Sequence, residues 1–225
     1  MRLFVQKSID KQVLLFLQKY FDCVFIPENR ELENPVSSHI DLQIFIFPDK
    51  TAVCAPFCYE FYKKLLQDYT VLFGQDPQSP YPNDILYNCF IASGCLFCNE
   101  KHTDKTLLMQ AQLRGYKIVS VSQGYTKCST VVVSDNKIIT ADNGIALAAK
   151  EQGIEVLKVV NDGVFLQGYK NGFLGGASFS SGNSLFFTGD ISVHEDYFKI
   201  KSFAEKEIIY IKNVPLYDYG SINPV

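Results

Sequence analysis

Three things are missing from this sequence, and each absence removes a class of function. There is no basic excess: 21 Lys and Arg stand against 24 Asp and Glu, for a formal charge of −3. The cations are also scattered, so no positive field attracts a phosphate backbone, and nucleic acid is not an expected partner. No apolar run approaches the roughly 18 residues a membrane span needs, and the opening Met1 to Lys7 is too short for a secretory core. The protein is therefore expected to be soluble and cytoplasmic, without a membrane partner. Finally, the cysteines do not make a paired set. Seven is an odd number, and reduced thiols are the default in that compartment. Cys95 and Cys98 have the spacing of a metal or redox half-site. On a strand they would point to opposite faces, however, and no second Cys or His pair answers at zinc spacing, so no metal or cofactor is expected.

What is present is core material and a repeat. Hydrophobic residues make up 47% of the chain, with 18 Phe and 13 Tyr among its 225 residues, enough for one globular domain. The most informative stretch runs from Gly124 to Gly153. Thr130 to Val133 and Lys137 to Thr140 are β-branched runs around a turn at Ser134 to Asn136, which predicts a hairpin. Asp142 then caps a helix that Gly153 ends, and Ile154 to Val160 is strand-like again. This ββαβ unit recurs. Its turns fall near Asp49, Ser93, Asp135 and Gly182, about 45 residues apart.

One more period places a fifth turn just past Val225. The two ends of the chain would then share the fifth unit, with Tyr219 to Val225 as its first strand and Arg2 to Gln6 as its second. Ser8, as cap, would begin its helix, which runs to Tyr20, and Cys23 to Ile26 would be its last strand. The expectation is a single α/β domain over residues 1–225, with units at 39–73, 83–121, 124–160, 174–212, and 217–225 joined with 1–27. Residues 161–172 would form a flap over one end of the ring.

A closed ring gathers the openings of its first strands around one axis. Those openings hold His39 and Asp41, Asn83 and Asp84, Lys127 and Cys128, Gly175 to Ala177, and Asp218 with Ser221. Strand alternation through His39 to Phe47 would turn His39, Asp41 and Gln43 to one face. Cys128 is the candidate nucleophile and His39 its proton carrier; Asp41 and Asp218 could hold a planar cation through paired charge-assisted hydrogen bonds. Lys127 would lower the thiol pKa, and Gly175 and Gly176 would let backbone approach a ligand closely. Each residue alone is ordinary: a lone Cys is usually buried packing, and an Asp beside Gly is usually a turn residue. The functional expectation rests on the set.

The set resembles a known superfamily, the pentein or guanidine-modifying fold, a five-bladed α/β propeller of five ββαβ units. Its members include arginine and agmatine deiminases, dimethylarginine hydrolases and amidinotransferases. The resemblance is carried by His39-Ile40-Asp41 and by Cys128, with one whole unit between them. The whole chain also resembles an uncharacterised bacterial family of that fold, through Gln123 to Thr130, Gly175-Gly176 and Tyr217 to Ile222. The resemblance implies catalytic Cys128 and His39, with Asp41, Asn83, Asp84, Lys127, Asp218, Ser221, Gly175 and Gly176 at the substrate. It implies a cysteine-dependent C–N hydrolase or amidinotransferase acting on a small guanidino or amidino compound. The sequence departs from the enzymes at Gly175-Gly176-Ala177, where an acidic residue normally opens the unit. The alternative is a non-catalytic binding member, or an interaction factor such as the ribosome anti-association protein of this fold. The oligomeric state is open.

Overall fold

The computed structural model describes residues 1–221 and 224–225. Its architecture is mixed α/β with small sheets. Four three-stranded sheets share one connectivity: an antiparallel hairpin, a helix, and a last strand that returns parallel to the hairpin's second strand. The first combines β3 (Ile44–Ile46), β4 (Thr51–Cys54), α2 (Tyr59–Leu65) and β5 (Thr70–Phe73). The second combines β6 (Phe90–Ala92), β7 (Cys95–Cys98), α3 (Lys105–Leu113) and β8 (Lys117–Ser120). The third has β9 (Thr130–Ser134), β10 (Lys137–Thr140), α4 (Asn143–Glu151) and β11 (Glu155–Lys158). The fourth has β12 (Ser178–Ser181), β13 (Ser184–Phe187), α5 (Tyr197–Ala204) and β14 (Glu207–Ile209). The hairpin turns lie where the repeat predicts, and three carry left-handed residues, at Lys50, at Ser93 with Gly94, and at Gly182.

The tails meet. β1 (Arg2–Val5) pairs in parallel with β2 (Asp22–Phe25) across α1 (Lys11–Leu17), and Leu3 forms an antiparallel bridge to Pro224. Arg2 and Val225 exchange both backbone hydrogen bonds at 2.9 Å. Among the described residues, the expected strand from Tyr219 to Val225 is not formed over Tyr219 to Ser221. Within the described residues it is only this bridge, Ile222 and Asn223 lie outside them, and Leu216–Tyr217 pairs instead with Val164–Phe165.

The apolar clusters cross from unit to unit. Phe4 of the tail unit packs with Val53, Tyr62 and Leu96; Phe97 packs with Ile138 and Ile145. Val131 and Ile139 pack with Leu185 and Ile200, and Phe179 and Phe186 pack with Leu3 and Phe21. The sequence of contacts thus returns to the first strand. Each fully buried Phe or Leu in these seams contributes roughly 2 kcal/mol, so the seams between units bind the chain together.

Helix starts follow their caps. Asp142 accepts from Ile145 N and Asp104 from Leu107 N, as side-chain caps do. The predicted cap at Ser8 is wrong: Asp10 caps α1, accepting from Gln12 and Val13. Asp190 caps only a short 3-10 turn, by accepting from Ser192 N, and α5 starts after Asp196. The strand predicted from His39 is also corrected. Ile40–Leu42 is a 3-10 turn, and the strand begins at Ile44. Val36 through Phe45 is buried without a break, so no solvent-facing side exists to reward strand alternation.

Candidate active site around Cys128

Cys128 sits in a tight turn just before β9. Ser129 N donates to Tyr125 O at 2.9 Å and Thr130 N to Lys127 O at 2.9 Å. The turn is held from outside by Asn88, whose Oδ1 accepts from Lys127 N at 2.7 Å and Cys128 N at 3.2 Å. Gly176 N donates to Cys128 O at 3.0 Å from the other side.

Three of the predicted residues converge here. The side-chain donor atoms of His39, Cys128 and Asp218 all lie within 4.8 Å of one another, and all three residues are buried. The Cys128 thiol lies 2.7 Å from Asp41 Oδ2. Ser221 Oγ stands 4.0 Å from the same sulfur while donating to Gly175 O at 3.2 Å. Asp218 is fixed by two backbone donors, Phe173 N at 2.9 Å and Gly220 N at 3.0 Å.

The glycines at 175 and 176 serve this packing rather than forming a cavity wall. A Cβ on Gly176 would fall 1.8 Å from Asp218 Oδ1, and one on Gly175 would fall 2.4 Å from the Thr130 carbonyl. The missing acidic residue of the fourth unit is thereby explained: the Asp218 carboxylate, reaching in from the tail, fills the space that a side chain at 176 would need.

A cavity of about 110 Å³ opens on His39, Cys128 and Asp218, roofed by Tyr125, Tyr169 and Phe173. Leu166, Tyr169 and Asn171 of the segment 161–172, expected as a flap, line this cavity, as does Phe173 just beyond it. A second cavity of about 410 Å³ is lined by Asp41 and Lys127 and shares no wall residue with the first. Lys127 and Cys128, adjacent in sequence, therefore line different cavities. Asn83 lines neither; it is exposed and its Nδ2 donates to Pro80 O at 3.2 Å. Asp84 is buried and accepts from Tyr125 OH at 2.5 Å, so it steadies the roof and does not line the cavity.

The electrostatics follow from burial. Desolvation, then the Asp41 and Asp218 charges, push the Cys128 thiol well above its ordinary pKa. Burial lowers His39, with Asp41 opposing, and burial raises Asp41. Burial raises Asp218 to about 6, and it lowers Lys127. The resting state is thus a protonated thiol beside a neutral imidazole. Among the described residues, His39 Nε2 and Asp41 Oδ1 are buried without a hydrogen-bond partner. Two unpartnered polar atoms flanking a sulfur are costly unless a ligand satisfies them.

A family model described as "Family of unknown function (DUF6873)" matches residues 4–223. The chain belongs to the DUF6873 family. No curated protein matches its sequence. Among solved structures, a dimethylarginine dimethylaminohydrolase in an adduct with S-methyl-L-thiocitrulline superposes with a TM-score of 0.60 at 8% identity, covering 94% of this chain and 92% of that one. The dimethylarginine dimethylaminohydrolase adduct with 4-chloro-2-hydroxymethylpyridine gives 0.57 at 9%, over 94% and 92%. Agmatine deiminase from C. jejuni gives 0.53 at 11%, over 99% and 80%. At this identity the likeness concerns fold alone: this DUF6873 chain shares the fold of these structures.

Sequence reasoning missed Asn88, Tyr125 and Phe173 of the DUF6873 site. Asn88 precedes an apolar run and looks like a turn residue, and nothing in its local pattern announces a contact with a residue 40 positions away. Tyr125 and Phe173 flank the Cys128 and Gly175 motifs, so proximity to those motifs was the available signal.

Proposed function

We propose that this protein is a cysteine-dependent C–N hydrolase or amidinotransferase-like enzyme acting on a small guanidine- or amidine-bearing molecule. The observation that carries the reading is the thiol, imidazole and carboxylate of Cys128, His39 and Asp218, within 4.8 Å of one another on one buried cavity. The five units act here as one domain, a five-bladed propeller closed by Leu3 and Pro224, working in the cytoplasm where thiols stay reduced.

A bound amidinium places positive charge beside the thiol, which reverses the effect of Asp41 and Asp218 and favours the thiolate. The thiol proton passes to His39. Cys128 Sγ then bonds to the central carbon, the C–N bond breaks, and the departing amine takes the proton from His39. In hydrolysis, water gives a proton to neutral His39 and adds to the same carbon, the C–S bond breaks, the proton on His39 returns to the sulfur, and the ureido or amide product leaves. In transfer, an acceptor amine takes the place of water. Asp218 orients the substrate nitrogens from the cavity wall, and Asp41, which lines the other cavity, contributes its charge from beside the sulfur.

The wall also favours one kind of substrate. Apart from the reacting groups it is built from Val36, Leu166, the neutral Asn171 and the aromatic roof, while Lys127 lines the other cavity. A carboxylate tail finds no cation in that wall, so a short alkylguanidine or agmatine fits better than arginine. The test is a panel of methylguanidine, agmatine, arginine and simple amidines, scored for thermal shift and for ammonia or amine release. Release that Cys128→Ala and His39→Ala each abolish supports the reading; binding without release supports a non-catalytic binding member.

A further inference from the structure

Asn88 is 1% exposed, and its carboxamide has no freedom to turn over. Its oxygen is claimed by two backbone N–H groups, those of Lys127 at 2.7 Å and Cys128 at 3.2 Å. Only an acceptor satisfies two donors, so the amide nitrogen must lie on the other branch. That branch points at the thiol, with Nδ2 3.5 Å from Sγ. Asn88 itself is fixed by a local turn, its N–H donating to Ile85 O at 3.0 Å. It thus links the second unit to the catalytic turn of the third.

The carboxylates nearest Cys128 oppose its ionisation, and the Lys127 ammonium acts the other way. Asp41 stands at 2.7 Å, Asp218 shares the cavity, His39 is neutral, and Lys127 lines the other cavity. Besides Ser221 Oγ at 4.0 Å, Asn88 Nδ2 is the neutral N–H or O–H donor that the described residues place against the sulfur. We infer that Asn88 is a positioning residue for the nucleophile: one carboxamide sets the direction of the Cys128 side chain through its backbone and donates to the thiolate as it forms. A hydrogen bond to the charged form favours that form. The inference rests on Cys128 being the nucleophile, and its test reads the thiol itself rather than turnover.

The decisive variant is Asn88→Asp. It keeps an oxygen for the Lys127 and Cys128 N–H groups, and so keeps the turn, but puts a carboxylate oxygen where the donor was. Cys128 alkylation by iodoacetamide is followed against pH by peptide mass mapping, with the half-exposed Cys23 as internal control. At a fixed pH near 8, labelling of Cys128 is expected to slow by about tenfold or more, with the midpoint of its pH profile moved up by about one unit. Cys23 labelling and the unfolding temperature should stay close to those of the parent. A pH profile for Cys128 that does not move in folded Asn88→Asp overturns the proposal.

Asn88→Ala gives an independent answer if Asn88→Asp does not fold. Losing the donor moves the midpoint of the Cys128 pH profile up, whereas losing a merely structural brace changes the rate alike at every pH. A midpoint that stays or falls in Asn88→Ala overturns the proposal. If both variants behave as expected and no guanidino compound is turned over, the proposed reaction fails while this role for Asn88 stands.

Discussion

The sulfur of Cys128 lies 2.7 Å from Oδ2 of Asp41, a residue 87 positions earlier in the chain. This contact joins the opening of the first unit to the opening of the third. It makes Asp41 the nearest charged neighbour of the thiol, and an anion there opposes thiolate formation.

Asp41→Asn is therefore expected to lower the pKa of the Cys128 thiol and speed its alkylation, by about tenfold for each unit of pKa. The same variant should weaken binding of any guanidinium ligand, because half of the anionic pair is gone. Iodoacetamide labelling against pH, together with a thermal-shift titration, measures both. Slower labelling in Asp41→Asn would contradict the assignment.

Asp218 gives a pH signature. Burial raises its carboxyl from 3.8 to about 6 in the folded chain. Between those values the folded state keeps a proton that the unfolded state has lost, so stability falls as pH rises from 3.8 to about 6. Above that range the cost is complete, at roughly 3 kcal/mol, and below it the cost is absent. Asp218→Asn cannot titrate, so its stability relative to the parent should improve by about that amount from pH 4 to pH 7 in urea unfolding. A difference that is flat with pH would count against the buried carboxylate. Cation binding should strengthen through the same range as Asp218 ionises.

Gly176→Ala should be among the most damaging small substitutions in the chain. The added Cβ would meet Asp218 Oδ1 at 1.8 Å, and overpacking of this kind costs about 1–3 kcal/mol or more. Combining it with Asp218→Ala vacates the space, so the double variant should lose less than the two single losses together. Additive losses would show that the two residues do not share this space.

Removal of Pro224 and Val225 tests the closure. It takes away the paired backbone hydrogen bonds between Arg2 and Val225 and the bridge to Leu3. A loss of about 1–3 kcal/mol in chemical denaturation is expected. Unchanged stability would mean that the tails do not seal the ring.

The hairpins were legible because they recur at a steady period, and three of the four turns carry residues in left-handed backbone, as at Ser93-Gly94 and Gly182. Caps were legible where an Asp stands directly before its helix, as Asp142 does, and misread where Ser8 competed with Asp10 two residues on. His39 and Asp41, expected on one face of a strand, line different cavities. A 3-10 turn, not strand alternation, carries them, because long-range burial overrides local pattern there. Asn88 and the separate cavity wall at Lys127 were invisible, since both depend on how the second and third units face each other.

The central claim is that a cation entering the cavity activates Cys128. The most direct measurement compares a small haloacetamidine with the neutral haloacetamide of the same shape and leaving group, at pH 7, scoring adducts by intact mass and peptide mapping. The account predicts that the amidinium labels Cys128 at least about tenfold faster than the amide, and ahead of the exposed part of Cys23, with the preference lost in Asp218→Asn. Equal labelling of Cys128 by the two reagents, or labelling of the other cysteines first, would contradict it.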